Sequence, residues 1–549
     1  MIFLDKPRVD RFRVAHPPSP LAEKQRIFAR NSLVLCSEHH RIPRPPVAGF
    51  AFPKSGRSGL THTIVAILAS LCWQQYYSLP VLAALLRDND SGLIEYGQQM
   101  IAGHRSGKRR RLPTLGVVFA VAIVLLALAG GLASSLLPGT LAGRDAQPVA
   151  AAAIFAASYL ALAIGRIPGL AIDRAGVALV GACLMVAGGA LPLEDAYKAV
   201  DLDTLTLLLG MMIVVANLRL SGFFAQANAW VMRRAHHPLL LLAAVTAIAG
   251  VFSAFLVNDA ICLVLAPLVL ELTLSLRRNP VPYLLALAMA SNIGSTATIT
   301  GNPQNMMIGS FSQIPYTQFA ASLAPVALIG LVLTFGLIAL FHRGEFAGSA
   351  RLVAETPPAR IHRVLALRAL IATAVLVALF FSGQPPAKAA IIIGGLLLLT
   401  RRVRSERVYA EINWSLLLMF SGLFIIVAGA EHSLLSGDTI EAVGRLHLDS
   451  VPVLSAATAI LSNLVSNVPA VLVLKPFIDR LGDHHTAWLT VAMASTLAGN
   501  FTILGSIANL IVVQRAAASR VEITFWDYFR VGAPLTILTL VIGTLWLSL

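Results

Sequence analysis

Charge is scarce in this chain. Asp, Glu, Lys and Arg make up 13% of its 549 residues, about half the ~25% of a soluble globular protein. With 57% hydrophobic residues and a mean hydropathy of +0.76, the composition excludes a soluble domain and points to an integral membrane protein. Acid is scarcer than base, 27 residues against 42, which gives a formal charge of +15. The excess lies in short loops beside apolar runs, where it sets membrane orientation, so no nucleic-acid partner is expected. Cysteine is nearly missing: Cys36, Cys72, Cys183 and Cys262 form no CxxC pair and two of them lie in apolar runs, which argues against a disulfide or metal framework. There is no Walker phosphate loop, no HExxH and no GxSxG. Transport driven by ATP on this chain, cofactor chemistry and enzymatic activity all lack residues to carry them. Met1 to Arg13 is too charged for a secretory signal.

Long alternating runs are also absent. Apolar blocks near twenty residues recur from Gly116 onward, which suits membrane-spanning helices and not a β-barrel. Residues 1–110 hold no such block: Thr63 to Trp73 is apolar but is cut off by Gln74, Gln75 and Arg87. That region reads as a poorly ordered cytoplasmic extension with at most one interfacial helix, or as the product of a start codon placed too far upstream. Arg105, Lys108, Arg109, Arg110 and Arg111 then precede the first span, placing the N-terminus in the cytoplasm, as in a bacterial inner membrane. Spans are expected at 116–137, 149–165, 174–191, 204–220, 320–341, 364–382, 388–400, 412–430 and 531–548. The stretch 238–275 lies between Arg233-Arg234 and Arg277-Arg278 and so begins and ends on one side. It reads as a re-entrant hairpin with its tip near Asn258, two full spans being the less economical alternative. The stretch 451–478 reads as a second hairpin, entering from outside with its tip near Asn467. Stretches 282–308 and 487–512 read as broken helices. The fold expected is an all-α polytopic membrane protein of about 11 transmembrane helices, with repeats at 111–345 and 364–549 and a basic cytoplasmic linker at 346–363.

What is present, and present twice, is a pair of polar tracts inside apolar surroundings. Val257–Pro267 aligns with Ser466–Pro476 with five identities in eleven, among them Asn258 with Asn467 and Pro267 with Pro476. Ala288–Ile308 aligns with Ala492–Val512 with eight in twenty-one, among them Ser291 with Ser495, Thr298 with Thr502, Gly301 with Gly505 and Asn305 with Asn509. Gly210–Ala216 resembles Gly422–Ala428, and loop charge makes the first run inward and the second outward, so the halves are inverted. Gly/Pro-interrupted hydrophobic segments at matching places in two halves mark a transporter's binding site near the midplane.

The substrate-binding candidates are Asn258, Ser295, Thr296, Thr298, Asn302, Asn305, Ser466, Asn467, Asn500, Thr502, Ser506 and Asn509. Their oxygens, together with freed carbonyls, suit Na⁺, while half-helix N-termini suit an anion. Asp259, Ser291, Asn292, Gly301 and Gly505 are the ion-coupling candidates. Asp259 is the sharpest of these: an ionisable group in an apolar hairpin is costly and functional by default, and it could hold Na⁺ or carry a proton. The alternative is structural pairing with an arginine such as Arg219; small-residue helix packing is the corresponding alternative for the Ser and Thr positions. Lys475, Glu271, Glu431 and His432 fall near span ends and read as solvated. The pairs His236-His237 and His484-His485 read as interfacial, not as metal ligands.

At these tracts the chain resembles the ion transporter superfamily, which includes citrate and dicarboxylate carriers, arsenite permeases and some Na⁺/H⁺ antiporters; the resemblance covers roughly 113–549. Divalent anion–sodium symporters in that group carry two Ser-Asn-Thr hairpin-tip motifs that bind substrate carboxylate and Na⁺. Here Ser466-Asn467-Val468 departs from the second motif at Val468. The first is kept only at Asn258, between Val257 and Asp259. The Asn258-Asp259 pair, followed by an apolar run and Pro267, is similar to the arsenite permease pattern. The resemblance implies a secondary carrier of a small anion or oxyanion, working by alternating access with H⁺ or Na⁺ as coupling ion. An arsenite or antimonite exporter and a Na⁺/H⁺ antiporter are the alternatives, and an ion channel is the alternative of another class. The partners implied are the anionic substrate, the coupling ion and the lipid bilayer, with homodimerisation left open.

Overall fold

In a computed structural model, the described residues are 141–164, 172–234, 237–347, 362–399, 403–434 and 447–549. The expected N-terminal extension, the span at 116–137 and its preceding basic cluster, and nearly all of the linker at 346–363 lie outside them. The described residues fold into helices: α1 (Leu141–Ile164), α2 (Arg174–Ala187), α3 (Leu202–Leu220), α4 (Pro238–Phe255), α5 (Asn258–Ser275), α6 (Pro280–Ser295), α7 (Pro303–Ser312), α8 (Tyr316–Phe341) and α9 (Arg363–Phe381). Then follow α10 (Pro386–Leu398), α11 (Trp414–Leu434), α12 (Val451–Val465), α13 (Asn467–Ile478), α14 (His484–Ala498), α15 (Ile507–Ala518) and α16 (Phe525–Ser548). Short connecting helices that the apolar pattern does not announce occupy 193–199, 223–234, 343–346 and 405–409.

Among the described residues, seven helices are long and apolar enough to cross a membrane: α3, α4, α5, α8, α9, α11 and α16. α8 and α9 turn Leu328, Val332, Leu367 and Ile371 outward, an apolar surface that only a hydrocarbon solvent makes inexpensive. α6 and α14 lie at the other extreme. Every residue from Tyr283 to Ser295, and from Ala487 to Ala498, is buried.

The breaks expected in 282–308 and 487–512 are there, and capping chemistry builds them. α6 starts on Asn279 and Pro280, the first residue accepting from the Val281 N–H, and stops before Ala297. The chain then extends at Thr298 (φ −140°), makes one 3₁₀ turn over Ile299–Gly301 and restarts as α7. Asn302 caps α7 by accepting from the Asn305 N–H at 2.8 Å, with Pro303 at the first helical position, where its missing N–H costs nothing. The second break follows the same course, with Thr502 at φ −136°, a 3₁₀ turn over Ile503–Gly505, and Ser506 capping α15. Asp483 caps α14 by accepting from the Thr486 N–H at 3.0 Å, which holds its carboxyl below the usual range.

The repeat recurs in the contacts themselves. Asn305 donates to the Ser295 and Thr298 carbonyls at 3.1 and 3.0 Å. Asn509 donates to the Gly499 and Thr502 carbonyls at 2.8 and 3.1 Å, each 204 positions on. A Cβ at Gly210 would lie 2.5 Å from the Ala390 carbonyl carbon, and one at Gly422 would lie 2.6 Å from that of Ala178. Both pairs are related by 212 residues, so the duplication reaches α2 and α10, where sequence identity does not show it. A Cβ at Gly294 would sit 2.1 Å from the Gly250 carbonyl oxygen. Only glycine lets α6 approach α4 backbone to backbone.

Candidate functional site

α5 and α13 begin beside the two breaks. Asn258, at the start of α5, donates to Asn292 of α6 at 3.0 Å. Asn292 uses its whole hydrogen-bonding capacity: its oxygen also accepts from Ser506 at 3.0 Å, and its amide donates to Asn500 and Asn509, both at 2.9 Å. Three of these four partners belong to the second repeat. Thr496, 204 positions on, reaches the opposite way. Its hydroxyl accepts from Asn302 at 3.1 Å and Gln304 at 3.2 Å, and donates to Asn305 at 3.4 Å. The two broken segments are thus cross-linked side chain to side chain, each through the residue just before the other's break.

In front of this lattice lies a cavity of about 40 Å³. At the ~10–15 Å³ a single water needs, that is room for about three water-sized bodies. Asn258, Asp259, Ser466, Asn467 and Ser506 line it, with Pro303, Gln304 and Ile507 at the half-helix starts. Its far wall is Leu162, Arg174, Leu416, Met419 and Phe420. Two atoms here stand out: the side-chain oxygens of Asn258 and Asn467 are buried and accept no hydrogen bond from the protein. Such an acceptor carries its full desolvation cost, about 1–3 kcal/mol, unless something else satisfies it. Asp259 lies beside the Ala508 N–H at the start of α15, where the helix dipole favours a carboxylate.

Ser466 carries backbone strain. Its φ of +81° and ψ of 158° lie in a region that is nearly glycine-only and costs about 1–3 kcal/mol for other residues. The strain sets the Asn467 tip at the cavity wall; the matching Val257 is unstrained, with φ −57°.

Of the substrate-binding candidates, Asn258, Ser466, Asn467 and Ser506 line the cavity, and of the ion-coupling candidates Asp259 does. Ser295, Thr296, Thr298, Asn302, Asn305, Asn500 and Asn509 lie behind it, buried in the lattice. Thr502 contributes its carbonyl to Asn509. Ser291 bonds to Ser253 at 2.7 Å and to the Asn258 carbonyl at 3.2 Å, anchoring α5 to α6. Gly301 and Gly505 sit in the 3₁₀ turns; a Cβ at Gly301 would meet the Ser295 carbonyl oxygen at 2.2 Å. Arg219 is paired with Glu411, which accounts for that arginine without Asp259. Sequence reasoning passed over Arg174 and Gln304. Arg174 had a signal, as a charge at the very start of an apolar span.

Residues 159–498 match the family model described as citrate transporter. The chain belongs to the citrate transporter family. It is 29% identical over 427 residues to an uncharacterized transporter of Mycobacterium tuberculosis, covering 73% of this chain and 98% of that one. It is 28% identical over 468 residues to a silicon efflux transporter of Oryza sativa subsp. japonica, covering 71% and 95%. A putative transporter, arsB, of Dictyostelium discoideum is 25% identical over 498 residues, covering 68% and 87%. With this family and these apolar helices, the chain is an integral membrane transporter of the ion transporter superfamily type.

Proposed function

We propose that this family member is a secondary active carrier of a small anion or oxyanion that works by alternating access. The observation that carries the reading is the meeting of two repeat-related carboxamide oxygens, both without protein partners, with the Asp259 carboxylate in one cavity. Acceptors left bare beside half-helix N-termini suit a solute that both donates and accepts hydrogen bonds. α4–α5 and α12–α13 act as hairpins that enter from opposite faces of an inner membrane whose cytoplasmic side holds the N-terminus. The cross-linked broken segments move as one body with their solute, past the wall formed by α2 and α11. H⁺ or Na⁺ supplies the energy, with Asp259 as the coupling group.

A second reading has its own support. Bare acceptors also suit a neutral hydroxide such as that of arsenic or silicon, and one relative is named a silicon efflux transporter. Reconstituted vesicles distinguish the two when tested with citrate, succinate, sulfate, phosphate and arsenite under imposed pH and Na⁺ gradients. The expected result is saturable, gradient-dependent uptake of a small inorganic solute. Flux that never saturates would mark a channel and overturn the carrier.

A further inference from the structure

Two charged side chains line the cavity, Arg174 and Asp259, and both stand where the repeat is broken. The position 209 residues after Asp259 is Val468, and the position 212 after Arg174 is Pro386. The backbone repeat is kept around both, down to the Gly210–Ala390 and Gly422–Ala178 approaches that seat α10 and α2, so each charge is carried by one half alone. Arg174 is the first residue of α2, fixed there by Asp173, whose side chain caps the helix. It belongs to the wall and Asp259 to the broken-helix body, so the two charges sit on the surfaces that must slide past each other if the carrier reading holds. A guanidinium offers a rigid fork of N–H donors matched to oxyanions. The orphaned oxygens of Asn258 and Asn467, like the carboxylate, need a donor and repel a bare oxyanion.

We propose that Arg174 is the charge-selecting residue of this site and that the solute is a singly charged oxyanion still bearing hydroxyl groups. The inference rests on the carrier reading and narrows it. Arg174 takes the charged oxygens, and the hydroxyls donate to Asn258, Asn467 or Asp259. Sulfate has no hydroxyl at neutral pH, and arsenite is neutral as the trihydroxide. Phosphate in mildly acid solution has both features.

The test uses purified full-length protein in vesicles, with phosphate, sulfate, arsenite, citrate and succinate as solutes for wild type, and the first three for Arg174→Gln and Arg174→Lys. Wild type is expected to carry phosphate with a KM at least about tenfold below that for sulfate, the scale of one charge-assisted hydrogen bond. Arg174→Gln is expected to raise the phosphate KM about tenfold or more while leaving any arsenite flux within about threefold. Arg174→Lys should fall between, and it carries the test alone if the Gln variant is not recovered folded. Equal losses for phosphate and arsenite in either variant, or an unchanged phosphate KM, would overturn the assignment. So would a wild type that carries arsenite alone, which leaves the carrier standing. A wild type that carries none of the solutes, including citrate and succinate, overturns the carrier reading itself.

Discussion

Asp259→Asn is expected to abolish gradient-driven flux, by about a hundredfold or more, while folded protein still reaches the membrane. The substitution keeps the shape of the side chain and an oxygen for the Ala508 N–H, so the start of α15 remains satisfied. What it removes is a group that can gain and lose charge. A full charge at 4 Å is worth about 4 kcal/mol in a protein-like dielectric, enough to set whether solute and coupling ion travel together. Counterflow of solute with no gradient imposed should survive better than uphill uptake, and comparing the two separates lost coupling from lost binding. Uphill uptake unchanged from wild type would remove Asp259 from the coupling role. Arg219 offers no alternative explanation, since Glu411 occupies it.

Asn292→Ala is expected to be the most destabilising single truncation in the polar lattice. It strands the Asn258 amide, the Ser506 hydroxyl and the oxygens of Asn500 and Asn509. Stranded buried groups cost about 1–3 kcal/mol each, so the four together are expected to cost about 4 kcal/mol or more. Thr496→Val, its counterpart in the other repeat, strands the Gln304 amide and the Asn305 oxygen, while the Asn302 amide keeps Ser295, at an expected cost of about 2–6 kcal/mol. Thermal unfolding in detergent should rank the two in that order. In vesicles both variants should lose flux, because the lattice sets the cavity's back wall. A reversed order, or Asn292→Ala as stable as wild type, would contradict the cross-linked lattice.

Among the described residues, the long apolar helices and both breaks were legible because each rests on local chemistry. Apolar blocks set the spans, and Asn302-Pro303 caps and restarts a helix whatever lies across from it. The duplicated asparagines, Asn258 and Asn467, both line the cavity. The sequence did not separate the residues that face the cavity from those that hold it. Ser295, Asn305 and Asn509 look as available as Asn467 in a line of letters, yet carbonyls seven to ten residues away take up the amides of Asn305 and Asn509. The crossed bonds of Asn292 and Thr496 span about two hundred residues and leave no periodic trace. The strain at Ser466 is set by tertiary packing, and no residue type announces it. The likeness of α2 to α10 survives as a backbone approach at Ala178 and Ala390 after the side chains have diverged.

A structure solved with a transported solute bound, chosen from the vesicle panel, bears on the central claim most directly. The solute is expected between α5 and α13, within hydrogen-bonding distance of the side-chain oxygens of both Asn258 and Asn467. A solute seated elsewhere, with both oxygens still unmet, would contradict it.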